Sequence, residues 1–261
     1  MAIIQGNIMS NALGRTVPFS AILPTGDFGV ILGKPKPKGP FKTLYLLHGI
    51  GGDHMDWLIG TSIAALAEEK GIAVIMPSAE NGFYVDASGG ANYGQYIGEE
   101  LVSTTREIFN LSAKREDTFI AGLSMGGYGA LRNGLKYSDT FSYAAGLSSA
   151  LVVDEASAPD DSSPFPFGRR SYYKRTFGDL SQISCSDLDL YTLAKTRQQE
   201  IKLPRLYLAC GTDDELIRQN RDFRDYLNAE GIPVTYEEGP GGHEWSFWNT
   251  YIAKVLNWLP L

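Results

Sequence analysis

The stretch DTFIAGLSMGGYGALRNGLK, residues 117–136, decides how the rest of the chain is read. It opens on an apolar run of strand length, Asp117 to Ala121, and closes on a helical pattern, Gly127 to Tyr137. Between them Gly122-Leu123-Ser124-Met125-Gly126 fits G-x-S-x-G. A serine on a sharp strand-to-helix turn is held out at the edge of a sheet, and small neighbours give the turn room. The helix N-terminus places free N–H groups close to that serine. This setting, more than the five-residue pattern, marks Ser124 as a candidate nucleophile.

Outward from the turn, short apolar runs alternate with longer helical patterns. The runs 43–48, 72–77, 143–148, 204–210 and 233–237 read as buried strands. Helical spacing is expected over 56–70, 92–110, 125–136, 188–202, 214–230 and 244–258, with Gly71 as a C-cap. In the second of these, Ile97, Leu101, Val102 and Ile108 form the expected apolar stripe. The alternation predicts βαβ crossovers and a mostly parallel sheet with helices on both faces. The first forty residues differ. AIIQGNIM, TVPFSAILP and GVILG read as strands joined by short turns, an antiparallel start to the sheet. Residues 150–185 carry Pro, Ser and aromatics without a period, and read as an inserted loop or small cap. Such a segment is either a functional cover or a surface excursion with one short helix. A single domain spanning 1–261 is expected.

Composition excludes several classes. The chain has 261 residues and a formal charge of −7. An acidic chain without a Lys/Arg block is a poor nucleic-acid binder. The stretch GKPKPKGPFK, Gly33 to Lys42, reads as a Pro-stiffened loop. Two cysteines, Cys185 and Cys210, with no C-x-x-C, give neither a disulfide framework nor a structural zinc site. No run approaches the roughly 18 apolar residues of a membrane helix. MAIIQGNIMS lacks the pattern of a secretory leader, so a cytoplasmic location is expected. No cofactor, metal, nucleic acid or membrane partner is expected, and homo-oligomerisation stays open.

A serine hydroxyl needs a base to take its proton. There are three histidines, His48, His54 and His243. In this strand–turn–helix fold the order along the chain is nucleophile, acid, histidine. Only His243 follows Ser124, in the glycine-rich turn Gly239 to Trp245. The acid is expected after the strand Arg205 to Cys210, in Gly211-Thr212-Asp213-Asp214. Asp214 is favoured as the partner of His243, with Asp213 as the alternative or as a cap for the next helix. Two N–H donors are needed for an oxyanion. Met125, after the nucleophile, is one. The other lies in His48-Gly49-Ile50-Gly51-Gly52, with Ile50 preferred and Gly51 second. His48 then braces this loop, and His54 has no assigned role. GIGGDH lacks the third glycine of a dinucleotide loop, and His48, Asp53 and His54 have no metal-ligand spacing. Trp245 and Trp248 are expected in the core. The aromatics from Phe165 to Phe177 read equally as pocket lining or packing.

Five segments together resemble the esterase D family of α/β-hydrolases, which includes S-formylglutathione hydrolases, tributyrin-type esterases and feruloyl or acetyl esterases. They are LLHGIGGDHMDW (46–57), NGFYVDASGGANYGQYIGEEL (81–101), GLSMGGYGAL (122–131), ACGTDDELIRQN (209–220) and GPGGHEWSFW (239–248). The likeness is strongest to short-chain bacterial esterases. It implies an α/β-hydrolase fold and hydrolysis of small acyl esters through Ser124, Asp214 and His243, with Ile50 and Met125 as donors. Thioester hydrolysis, feruloyl or acetyl-xylan esterase activity and acyl transfer on the same triad are the neighbouring readings. A catalytically silent binding protein is the non-enzymatic one. The loop after His48-Gly49 is shorter than in S-formylglutathione hydrolases, which argues against a glutathione thioester.

Overall fold

A computed structural model describes residues 1–26, 28–33, 35, 37–87, 90–151, 160–199 and 202–261, with the side chains of 28, 29 and 185 left aside. Parts of several expected segments therefore lie outside the described residues: 34 and 36 in the Pro-stiffened loop, 88–89, 152–159 in the insertion, and 200–201 at the end of one helix.

Eight strands form one sheet in the order β1-β2-β4-β3-β5-β6-β7-β8. β1 (Ala2–Ser10) and β2 (Arg15–Leu23) form an antiparallel hairpin, and β2 pairs antiparallel with β4 (Ala73–Pro77). The remaining pairs are parallel: β4 with β3 (Thr43–Leu47), then β5 (Thr118–Leu123), β6 (Tyr143–Leu147), β7 (Arg205–Gly211) and β8 (Val234–Gly239). The expected α/β-hydrolase architecture with an antiparallel start is what the chain adopts.

The sheet separates two cores. Along β3, Leu44 and Leu46 face one and Tyr45 and Leu47 the other, as the two-residue period of a strand covered on both faces requires. The first core is closed by helices α1 (Asp56–Gly60), α2 (Ile63–Lys70) and α8 (Trp245–Trp258). The second lies under α3 (Leu101–Ile108), α4 (Met125–Lys136), α5 (Arg170–Phe177), α6 (Leu190–Gln198) and α7 (Ile217–Ala229). Among the described residues no helix is long and apolar enough to cross a membrane.

Three expectations need correction. GVILG is no strand: Phe28–Ile31 form a single helical turn, and Ile31 and Leu32 are exposed. Among the described residues no strand pairs with this run, and prolines follow it. The helix expected over 56–70 is broken in two. Thr61 is extended, its hydroxyl caps the Trp57 carbonyl at 2.6 Å, and Asn249 Oδ1 accepts from Ser62 N–H. The Trp245 ring sits so close to Gly60 that a Cβ there would meet it at 2.4 Å. Ile108 is 52% exposed at the end of α3, whereas Ile97, Leu101 and Val102 are buried as expected. The segment before α3 winds through Tyr93–Gln95 and a π-helical turn, Tyr96–Glu100. That turn presents Glu100 to the β1–β2 turn, where it accepts from Ser10 Oγ and Asn11 N–H.

The strand order positions the site. The chain leaves β3 toward β4 and then returns past β3 to β5. Loops at the carboxyl ends of β3 and β5 thus diverge from a switch point, where open α/β sheets hold their ligands. Register aligns the ends: Leu47 is opposite Gly122, Leu123 opposite Leu147, Leu147 opposite Ala209 and Gly211 opposite Gly239.

Candidate active site

Ser124 stands between β5 and α4 with φ 54° and ψ −119°. A non-glycine residue in that region is strained, and the surroundings must hold it. They do so from both sides. Ser124 N–H donates to Leu147 O at 2.9 Å, and Ser124 O accepts from Ala150 N–H at 3.0 Å. The flanking glycines are required by close approach. A Cβ on Gly122 would fall 2.2 Å from Gly126 O, and one on Gly126 would fall 2.5 Å from His48 O.

His243 Nε2 lies 3.0 Å from Ser124 Oγ, and its Nδ1 lies 3.1 Å from Asp214 Oδ2. A carboxylate partner at Nδ1 keeps the proton there, which leaves Nε2 free to accept from the serine. The two loops carrying this pair are joined through their backbones. Thr212 N–H donates to Gly239 O and Asp213 N–H to Gly241 O. A Cβ on Gly211 would lie 2.1 Å from Gly241 O.

The adjacent aspartates separate by burial. Asp214 is buried and Asp213 is exposed. Asp213 does not cap the following helix. The turn keeps its side chain outside, and Asp214 Oδ1 accepts from Leu216 N–H at 2.9 Å. Burial alone would raise the Asp214 carboxyl. Hydrogen bonds from His243, Leu216 N–H and Ser148 outweigh it and hold the group below its usual value, so it stays ionised.

The loop after β3 faces the nucleophile. A Cβ on Gly49 would lie 3.4 Å from Ser124 Cβ. Gly51 N–H donates to Asn81 Oδ1 at 2.7 Å, so it is not free for a ligand. Among the described residues no acceptor takes Ile50 N–H or Met125 N–H. His48 Nε2 accepts from Ala79 N–H at 3.0 Å, so its proton sits on Nδ1, 2.7 Å from Gly49 O. Burial lowers its pKa and keeps it neutral. Tyr84 O–H donates to His48 O. His54 Nδ1 meets Ser20 Oγ at 2.7 Å, and His54 is not among the residues that line the cavity at the site.

These groups open into a cavity of about 980 Å³. Phe165, Phe167 and Tyr173 from the insertion line it together with Gly49 to Gly52 of the loop after β3. The described part of the insertion therefore covers the site, with α5 and short helical turns at Pro166–Gly168 and Leu180–Cys185. Its rings form a chain. Phe167 meets Phe165 at 5.4 Å and Tyr172 at 5.2 Å, and Phe83 meets Phe177 at 5.2 Å. Tyr172 O–H donates to Asn81 O at 2.6 Å. Trp245 and Trp248 both pack and line the cavity, and the Trp248 ring stands edge-on to His243 at 4.9 Å.

Three contributors were not singled out from the sequence. Asn81 links the loop after β3 to α5. Arg132, buried on α4, pairs with Asp187 at 2.7 Å and so anchors the end of the insertion. Ser148, just past the end of β6, accepts from Trp248 Nε1–H at 3.1 Å, and the Trp248 ring stands against His243. Only Asn81 fell in a segment already marked by resemblance. Arg132 and Ser148 sit in no motif.

Comparison with known proteins gives a consistent result. The Esterase family model, described as "Putative esterase", matches residues 10–259. An acetyl esterase of Caldicellulosiruptor saccharolyticus is 44% identical over 261 residues, covering 99% of this chain and 98% of that protein. Among solved structures, FphF, a fluorophosphonate-binding serine hydrolase of Staphylococcus aureus, superposes with TM-score 0.86 at 33% identity, over 99% of this chain and 98% of that one. The S-formylglutathione hydrolase FrmB of the same organism gives 0.84 at 32%, with the same coverage. The chain belongs to the Esterase family, within the esterase D-like α/β-hydrolases, and is a carboxylic ester hydrolase.

Proposed function

We propose that the protein hydrolyses short-chain acyl esters through Ser124, His243 and Asp214 by way of an acyl-enzyme. One observation carries the reading. A strained serine, an imidazole and a buried carboxylate lie in one hydrogen-bonded line at the floor of a cavity, with two uncommitted N–H groups beside the serine. His243 Nε2 takes the Ser124 proton as Oγ attacks the ester carbonyl. Ile50 and Met125 N–H groups receive the negative oxygen, and the ionised Asp214 stabilises the imidazolium. His243 then returns the proton to the leaving alcohol. Water, activated by the same imidazole, attacks the acyl-serine and releases the acid. No step requires a metal or cofactor.

Charge around the cavity bears on the leaving group. Asp56, Glu215 and Glu244 line it, and no Lys or Arg is among the described lining residues. A neutral ester substrate meets no repulsion there, while a substrate that carries carboxylates, as a glutathione thioester does, meets like charge. This supports simple esters over glutathione thioesters. The likeness to FrmB supports the thioester reading, so both substrates belong in one experiment. p-Nitrophenyl acetate and butyrate are expected to turn over with higher kcat/KM than longer acyl chains and than S-formylglutathione. A preference for the thioester would replace the reading by the second one. No turnover of either, with a phosphonate probe leaving Ser124 unlabelled, would leave a silent binding protein.

A further inference from the structure

The segment after β4 separates the active-site cavity from a second cleft. That cleft, of about 450 Å³, is lined by Gly82, Val85, Ala87, Ala91, Tyr93 and Phe167, among others. Phe83, the residue after Gly82, lines the active-site cavity instead. Glu80, Phe83 and Tyr84 have φ of 48°, 51° and 58°. Such conformations persist only where the surroundings impose them. Here they do. The Phe83 ring meets Phe177 at 5.2 Å and Tyr128 at 5.6 Å. Asn81 accepts from Gly51 N–H through its side chain and from Tyr172 O–H through its carbonyl. Tyr84 O–H donates to His48 O. This part of the partition is fixed.

Phe167 is the other part, and it is held differently. It is the one described residue that lines both spaces. It stands on the short turn Pro166–Gly168, half-buried, with ring contacts to Phe165 and Tyr172. A phenyl ring makes no conventional hydrogen bond, so a change of rotamer moves it without breaking one. Behind it the cleft offers apolar surface. Val85 is buried, and the Tyr93 hydroxyl is taken by Arg15 at 2.8 Å. The charged Glu80 and Arg175 are exposed, and Glu80 is paired with Arg15 at 2.7 Å.

The order of strands says which half of an ester faces this partition. Ser124, after β5, lies between β4, whose following segment carries Phe83, and β8, whose loop carries His243. The leaving oxygen must stand beside His243 Nε2 to receive its proton. The side toward β4 is left to the acyl group.

We infer that Phe167 is a gate between the active site and a second acyl subsite, the cleft behind it. Closed, the ring limits the enzyme to short acyl groups. Turned aside or removed, it lets the distal methylenes of a medium-length, uncharged alkyl acyl chain enter the cleft between Gly82, Val85 and Ala91. The inference rests on Ser124 as the acylated residue, as proposed above, and names what sets the acyl length.

The test is the kcat/KM of ethyl octanoate divided by that of ethyl butyrate, measured for each variant. The ratio is taken within one preparation, so a partly unfolded variant does not change it. Each methylene moved from water into an apolar cleft is worth up to about fourfold. Phe167→Ala is expected to raise the ratio at least about tenfold over the wild type. Phe167→Trp is expected to leave it at or below the wild-type value. Adding Ala91→Trp to Phe167→Ala fills the cleft and is expected to bring the ratio back to within about threefold of the wild type. The matching ratio for octyl and butyl acetate, which lengthens the alcohol instead, is expected to change by less than about twofold in Phe167→Ala. An unchanged octanoate ratio in Phe167→Ala would overturn the inference. So would an equal gain in the alcohol series, or a gain that survives Ala91→Trp. If the wild type turns over none of these esters and a fluorophosphonate leaves Ser124 unlabelled, the reading of the triad falls and the inference with it. If the wild type hydrolyses ethyl butyrate and only the ratio fails to move, the inference alone falls.

Discussion

The cavity has two walls built by different means. One consists of the loops after β3, β5, β6, β7 and β8, which carry Ile50, Ser124, Ala150, Asp214 and His243. It is fixed by strand register and by backbone-to-backbone approach at Gly122, Gly126 and Gly211, where a side chain would not fit. The other is the insertion, where Phe165, Phe167 and Tyr173 are held by ring contacts and a few side-chain hydrogen bonds. Backbone positioning tolerates almost no displacement. Aromatic packing accepts alternatives of similar volume at modest cost. On the mechanism proposed above, the first wall would set the rate and the second would set which ester fits.

The largest effect that separates the walls is at the acid. Asp214→Asn keeps the shape of the turn but removes the charge, and kcat is expected to fall about 10⁴-fold. Asp213→Asn, one residue away and exposed, is expected to leave steady-state rates within about twofold.

The contrast between the walls also explains what the sequence made legible. The elbow was readable because its conformation admits only small residues at Gly122 and Gly126, so the chemistry leaves a pattern. His243 was readable by order along the chain. The break at Gly60–Ser62 was not readable, because its cause is Trp245, far away in sequence. GVILG failed because strand propensity has no consequence without a neighbour to pair with. Asp213 and Asp214 differ in nothing local except the turn that buries one of them. Ser148 left no pattern at all, since its contact with Trp248 comes from a helix far along the chain. The insertion wall offered composition without period, which fits lining and packing equally.

Asn81 ties the two walls together, so its loss is a finer probe. Asn81→Ala frees Gly51 N–H and loosens the loop that carries Ile50. kcat is expected to fall about tenfold, less than the 10²–10³ typical of deleting an oxyanion donor outright. An unchanged kcat would show that the loop holds its shape without the tie.

Within the second wall, Phe167→Ala is expected to raise KM for aryl esters about fivefold, with kcat within about twofold. A fall in kcat without a change in KM would erase the division between the walls.

The smallest effect is on stability. Burial depresses the His48 pKa below its ordinary value of 6.5, so the unfolded chain binds a proton that the folded one does not. This contribution is fully present above about pH 6.5 and is lost as pH falls toward the depressed folded value, at no more than about 1.4 kcal/mol per pH unit. Urea midpoints measured from pH 7.5 to 5.5 should fall more steeply for the wild type than for His48→Gln. Parallel lines would remove His48 as the titrating brace.

The most direct test of the central claim is the site of covalent labelling by a fluorophosphonate, read by peptide mass spectrometry beside p-nitrophenyl acetate turnover. The account predicts a single adduct on Ser124. It also predicts that Ser124→Ala is folded, unlabelled and about 10⁶-fold slower. A label on another residue, or turnover retained in Ser124→Ala, would contradict it.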